Sequence, residues 1–456
     1  MPRLLIAATH SGVGKTTVAC GIMAALRRRG LRVAPFKVGP DFLDPGYHAA
    51  ACGDGPTRGA PAPAVVLDAW MLGEEGVRRS FAAGAADVDM AVIEGMMGLY
   101  DGADPETDAG STAQIARLLQ APVILVLDGS ALARSAGALA LGYRVFDPQV
   151  PVVGVVANRL AGEEHAAYLR PGIERGAGLA FLGWLPEIAD AAIPERHLGL
   201  VTAGEREGVA ALIGRLADAV ERHLEVPRLL ELAAAAPPIS GSAPAALERA
   251  RLRARIALAR DEAFCFYYRD NLALLEAAGA EIVPFSPLRD RELPSDTQGI
   301  YLGGGYPELH AARLAANQSM QRAICACAAQ GRPIYAECGG LMYLCEVLST
   351  DGTDYPMVGI VPGRTVMESR LQAIGYREVT LWRDTVLGPR GTVARGHEFH
   401  HSRYEGSAPV ERAAFAVGER RLGYATETLL ASYIHLHFGS NPRLAEQFVT
   451  QCARRH

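Results

Sequence analysis

Twice along this 456-residue chain, short and almost continuously apolar runs alternate with amphipathic stretches, and no other feature restricts the fold as much. A strand that is apolar at every position is buried on both faces, which calls for helices on both sides of a parallel sheet. In the first half, residues 4–8, 32–36, 90–94, 123–127 and 152–157 read as strands, with helices over 18–29 and 112–119. The alternation restarts with strands at 255–259, 281–285, 299–302 and 333–336 and helices at 271–278 and 320–330, before a strand-rich end (375–381, 413–417, 432–435). Between the halves, Ala, Pro, Ser and Gly accumulate in LAAAAPPISGSAPAAL without strand or long-helix patterning. The expected organisation is therefore an α/β domain over 1–231, a linker over 232–250 and a second α/β domain over 251–456.

Composition narrows the function classes. Hydrophobic residues at 49% and charged residues at 21% exclude a disordered or collagen-like chain. The net charge of −5 provides no overall basic field for nucleic acid or an anionic membrane. Eight cysteines without regular spacing read as reduced thiols of a cytoplasmic protein. No segment approaches the ~18 uncharged apolar residues of a membrane span, and the first residues enter a glycine loop without a signal-peptide cleavage region. No nucleic-acid or membrane partner is expected.

The loop Thr9-His10-Ser11-Gly12-Val13-Gly14-Lys15-Thr16-Thr17 follows a strand and opens a helix. Backbone N–H groups around Gly12, Val13 and Gly14 can close on phosphate oxygens, Lys15 can neutralise them, and the Thr16 hydroxyl can ligate Mg²⁺ beside Thr17. Thr9 stands where the usual motif has its first Gly. FKVGPDFLDPGYH (36–48) and VIEGMMGLYDG (92–102) also follow strands and end in carboxylates, and the C-terminal ends of parallel strands share one sheet edge. Glu94 is placed for the metal, Asp41, Asp44 and Asp101 for metal or substrate, and Asn158 for the nucleotide base.

In the second half, Cys338 lies between a strand and a helix in Ala336-Glu337-Cys338-Gly339-Gly340. This is the context of a nucleophile elbow, with the thiol on a sharp turn at a helix N-terminus. The Gly339 N–H, with one from Gly303-Gly304-Gly305, would form an oxyanion hole. His435 and His437 in SYIHLHF supply candidate bases. His397-Glu398-Phe399-His400-His401 satisfies H-E-x-x-H, but a zinc protease needs that motif on a helix, and no helical run surrounds it. Cys325 and Cys327, two apart in a helix, do not face together.

An N-terminal nucleotide site joined to a Cys/His hydrolase suggests a glutamine-dependent amide synthetase. THSGVGKTT, KVGPDFLDPGYH, VIEGMMGLYDG, ERHLGLV (195–201), YLGGGYPELH, AECGGLMYL, GHEFHHS and ASYIHLHFGSNP resemble, in order and over almost the whole chain, segments of the cobyrinic acid a,c-diamide synthase family. That resemblance implies a phosphate-loop domain of the dethiobiotin-synthetase branch and a class I glutamine amidotransferase domain. ATP and glutamine would be co-substrates, Mg²⁺ the cofactor and a corrinoid the substrate. Cys338 would form a thioester with His435 as base, beside Gly304, Gly305 and Gly339. Two acetate carboxylates, a and c, would be activated as acyl phosphates and amidated. Asp41, Phe42, Leu43 and Asp101 would lie near the carboxylate, with Thr16, Glu94 and Asp41 at the metal. Ordinary class I amidotransferases carry a Glu two residues after the catalytic His. His437 occupies that place here, so the third member is left open, with Glu337 one candidate. Related readings are hydrogenobyrinic acid or Ni-sirohydrochlorin a,c-diamide synthases and, less well matched in length and segments, cobyric acid synthase. A partition-type ATPase would leave Cys338 and His435 without a role. The oligomeric state is open, a homodimer included.

Overall fold

The computed structural model describes residues 1–53, 65–188, 208–239 and 250–454, and the backbone of 195–196 and 199–200. The side chains of 195–201 and the middle of the expected linker, 240–249, lie outside the described residues. The chain divides into two compact units, Met1–Pro244 and Ala245–His456.

The first unit is built on seven parallel strands, β1 Arg3–Ala8, β2 Val33–Val38, β3 Val65–Leu67, β4 Met90–Glu94, β5 Val123–Asp128, β6 Val152–Leu160 and β7 Ala180–Pro186, in the order 3-2-4-1-5-6-7. Side chains alternate across a strand. On β1, Leu5 and Ala7 therefore enter one core and Leu4, Ile6 and Ala8 the core on the opposite face, which is why the run has no polar gap. The helices are α1 Lys15–Arg28, α2 Asp44–Cys52, α3 Ala69–Gly84, α4 Thr112–Leu118, α5 Ser135–Phe146, α6 Glu163–Pro171, α7 Val209–His223 and α8 Val226–Ala234. Gly14, at φ 92°, caps α1 from the left-handed region. Register places Ile6 of β1 and Lys37 of β2 on either side of Glu94 at the end of β4.

The second unit centres on a six-stranded sheet. Its parallel strands, in spatial order, are Ala280–Phe285, Ala254–Ala259, Gly299–Leu302, Ile334–Glu337 and Leu429–Ser432, and Tyr424–Ala425 runs antiparallel at the edge. Ile334 and Ala336 enter one core, Tyr335 and its cross-strand partner Tyr301 the other. Two further sheets, of four and five strands, fill most of 345–436.

Two readings need correction. The expected strand over 432–435 is broken. One strand ends at Ser432, and the next, His435–Leu436, pairs with Val393–His400 in the five-stranded sheet. The Ile434 N–H donates to the Ser432 hydroxyl and closes the turn that makes this switch. The start of the expected linker is helical, because α8 runs to Ala234 with Leu229 and Ala233 buried; alanine favours helix more than any other residue. Among the described residues no helix is long and apolar enough to cross a membrane.

Candidate active site

The phosphate loop joins β1 to α1, and its shape is set by its neighbours. The Asn158 amide donates to the Val13 carbonyl at 2.8 Å and Arg159 to the Gly12 carbonyl at 2.8 Å. A Cβ on Gly14 would overlap the Asn158 amide, so glycine is required there for close approach as well as for its positive φ. Asn158 thus braces the loop with its amide nitrogen. Thr17 follows Thr16 in the first turn of α1. Lys15 extends to the Met97 carbonyl at 2.8 Å, and the Thr16 hydroxyl donates to Glu94 at 2.8 Å. The loops after β1 and β4 therefore meet over the sheet edge.

Glu94 is the hub of a buried network that includes two residues the motif reading passed over. Lys37 Nζ lies 3.2 Å from Glu94, 2.8 Å from Asp44 and 3.7 Å from Asp41, and donates to the Gly95 carbonyl. His48 Nε2 lies 2.5 Å from the other Glu94 oxygen. Burial opposes the charge on Glu94, yet Lys37, His48 and the Thr16 hydroxyl hold its carboxyl well below the usual range. Burial likewise opposes charge on Lys37, but Asp44, Glu94 and Asp41 raise its pKa. Burial and neighbouring Asp41 push Asp44 upward. Lys15 is lowered by burial and by Lys37. Asp41 accepts from the backbone of Leu43 and Asp44 ahead of α2, with Phe42 half-buried beside it. Asp101 is exposed and accepts from the Gly98 N–H. The Thr16 hydroxyl and Glu94 carboxylate are adjacent hard oxygens, a donor pair that fits Mg²⁺ completed by phosphates and water.

In the second unit, the strand Ile334–Glu337 delivers Cys338 to the six-residue helix Gly339–Leu344. Cys338 has φ 48° and ψ −104°, a sparsely populated conformation of the kind kept at functional turns. Its N–H is tied to the Ser432 carbonyl at 2.7 Å. So short a helix contributes its first N–H groups rather than an extended dipole. His435 hydrogen-bonds the Cys338 side chain, and Glu337 Oε2 lies 3.6 Å from His435 Nδ1. Burial lowers the His435 pKa, but Cys338 and Glu337 outweigh it and raise it to about 9. A Cβ on Gly304 would overlap the His435 ring and sit 3.4 Å from Cys338 Cβ, and one on Gly339 would sit 3.2 Å from the Gly305 nitrogen. The three glycines considered for the oxyanion hole thus lie together beside Cys338 and His435.

His397 lies on the strand Val393–His400, cross-strand from His435. It stacks on the His435 ring at 5.0 Å and pairs with the Tyr268 hydroxyl at 2.7 Å. Among the described residues no group of three or more His, Cys, Asp or Glu could hold a metal. The H-E-x-x-H segment contains a residue that packs on His435, a contact visible only through cross-strand pairing. His437 Nδ1 instead accepts from the Gly439 N–H at 3.1 Å, and burial lowers its pKa to about 4.

Two known domain families match the chain. Residues 4–201 match the CobQ/CobB/MinD/ParA nucleotide binding domain, and residues 255–443 match the CobB/CobQ-like glutamine amidotransferase domain. The cobyrinate a,c-diamide synthase of Syntrophotalea carbinolica is 46% identical, over 99% of this chain and 98% of its own. The chain belongs to the cobyrinate a,c-diamide synthase family. Enzymes of that name from Dehalococcoides mccartyi and Listeria monocytogenes are 44% and 43% identical, over 98% and 97% of this chain and 97% of each relative. Family membership extends over both units, so the phosphate loop and the cysteine elbow belong to one enzyme architecture.

Proposed function

We propose that the protein is an ATP- and glutamine-dependent ligase that amidates the a and c acetate carboxylates of cobyrinic acid in corrinoid biosynthesis, working in the cytoplasm where ATP and glutamine are held. The observation that carries this reading is full-length similarity to relatives of that name, with a separate Cys–His site and phosphate loop in the two units. The catalytic division falls at 1–231 and 251–456, joined by 232–250.

At the glutaminase site, the Cys338 sulfur attacks the glutamine side-chain carbonyl carbon. The N–H groups around Gly304, Gly305 and Gly339 receive the oxyanion. His435 returns the thiol proton to the departing nitrogen, so ammonia leaves and a thioester remains, which water hydrolyses to glutamate. At the synthetase site, Gly12–Thr17 and Asn158 bind ATP, while Asp41, Phe42, Leu43 and Asp101 position a substrate carboxylate. Its oxygen attacks the γ-phosphorus and ADP leaves; ammonia then attacks the acyl carbon and phosphate leaves. Activation is necessary because a carboxylate oxygen is otherwise a poor leaving group. Thr16, Glu94 and Asp41 would hold Mg²⁺, whose charge would offset that of the phosphates.

Cys338→Ala tests the two-site reading. It should abolish glutamine-dependent amidation and leave amidation from ammonium salt within about threefold of wild type. A folded variant that lost both activities, or kept glutamine-dependent synthesis, would contradict it.

A further inference from the structure

We propose that Glu337, the residue immediately before the nucleophile, is the positioning carboxylate of the glutaminase site, holding both the ring and the backbone of the base His435; the inference rests on the roles of Cys338 and His435 proposed above. Glu337 ends the strand Ile334–Glu337 and, two residues after Tyr335, faces the same core as Tyr335 and Tyr301. It is 1% exposed, and burying a carboxylate there requires compensating donors. One oxygen accepts from the Tyr335 hydroxyl and, at 3.0 Å, from the N–H of Leu436; the other accepts from the Tyr301 hydroxyl at 3.1 Å and lies 3.6 Å from His435 Nδ1. The Leu436 contact fixes the chain next to His435, while the second oxygen faces the ring nitrogen remote from the thiol. At 3.6 Å the pair is an ion-pair contact rather than a hydrogen bond, and a contact of that kind tightens when the imidazolium forms.

Glu337 is the acid that forms an ion pair with His435. His397 stacks against the ring, and His400 and His437 lie near enough to disfavour added positive charge in this group of histidines. His437 follows two residues after the base but is engaged elsewhere: its Nδ1 accepts from Gly439, its ring lies 4.5 Å from that of Tyr268, and its Nε2 has no hydrogen-bond partner. Asp270 is the charged residue that acts on it, against the effect of burial. A neutral imidazole held this way cannot stabilise an imidazolium as a carboxylate does.

The sign of the pH effect follows. The raised pKa of His435 keeps its imidazolium populated until pH rises through about 9. Removing the Glu337 charge should bring that loss to lower pH. The test uses the full-length enzyme, measuring glutaminase kcat, KM and pH profile beside ammonium-dependent amidation. Glu337→Gln should lower glutaminase kcat at least about 10²-fold, less than the ~10⁴-fold loss when a triad aspartate becomes an amide, because the contact to the ring is longer than a hydrogen bond. KM and ammonium-dependent amidation should stay within about threefold, and the alkaline limb should shift downward. Glu337→Asp should recover part of the loss, and His437→Asn should leave the profile in place. An unshifted limb with wild-type kcat in Glu337→Gln, or the same loss and shift in His437→Asn, would overturn the proposal. If Glu337→Gln fails to fold, Tyr301→Phe decides. Losing one donor makes the carboxylate more basic, so the limb should move upward, and an unmoved limb would overturn the proposal. Cys338→Ala assayed in parallel separates the two ideas. Glutaminase that survives it defeats the two-site reading, whereas its loss beside an unaffected Glu337→Gln defeats only the role of Glu337.

Discussion

Lys15 and Lys37 bring the same charge to one sheet edge and meet opposite surroundings. Lys15 is lowered by burial and by Lys37 itself, whereas Lys37 is raised by Asp44, Glu94 and Asp41. Lys37 therefore completes a balanced network, and Lys15 is the cation best placed to turn toward an incoming phosphate. Lys15→Ala should lower amidation about 10²–10³-fold with either glutamine or ammonium salt, the usual scale for removing one preorganised donor from developing charge. Steady-state rates with both nitrogen sources check this, and a wild-type rate with ammonium would contradict it. Lys15, Thr16 and Cys338 could be proposed from the sequence because each sits in a local motif, and Glu94 because it ends a strand at the shared sheet edge. Lys37, His48 and His397 could not, although each stands in a segment quoted for other reasons. Their importance comes from partners at distant positions: Lys37 and His48 reach Glu94, and His397 reaches His435.

At the scale of elements, strand ends build both sites. β1 and β4 end beside each other, bringing the phosphate loop to Glu94, and the strands ending at Glu337 and Ser432 pair side by side beneath Cys338 and His435. The strand cores that hold these ends were readable as apolar runs. Ile6, fully buried in β1 and paired in register with Glu94, anchors the first arrangement. Ile6→Ala should cost about 2–5 kcal/mol of stability, measurable by denaturant unfolding of the full chain; a loss below about 1 kcal/mol would show that this strand is not tightly packed. Other elements escaped the sequence reading for identifiable reasons. The α3 stretch contains Gly73 at φ 67° and ψ 169° inside it, which interrupts the helical period. The break after Ser432 was hidden because the flanking strands are only four and two residues long, and periodicity does not tell which sheet each strand joins.

At the scale of the molecule, each unit has its own cores on both faces of its sheet, and each holds one of the two proposed sites. The division suits a reaction that needs unprotonated ammonia from one site and an activated carboxylate at another. Both α/β units were legible from the repeated alternation of apolar runs; the added sheets of the second unit were legible only as a strand-rich stretch, because pairings such as Val361–Met367 with Ser402–Gly406 and Val393–His400 with His435–Leu436 join strands distant in sequence. The central claim is that one chain performs both half-reactions twice on one substrate. Mass spectrometry of the corrinoid after incubation of cobyrinic acid with ATP, Mg²⁺, glutamine and the purified protein tests it directly. The account predicts a product carrying two new amides, with one ATP and one glutamine consumed for each. A corrinoid of unchanged mass, with glutamine and then with ammonium salt as nitrogen source, would contradict it.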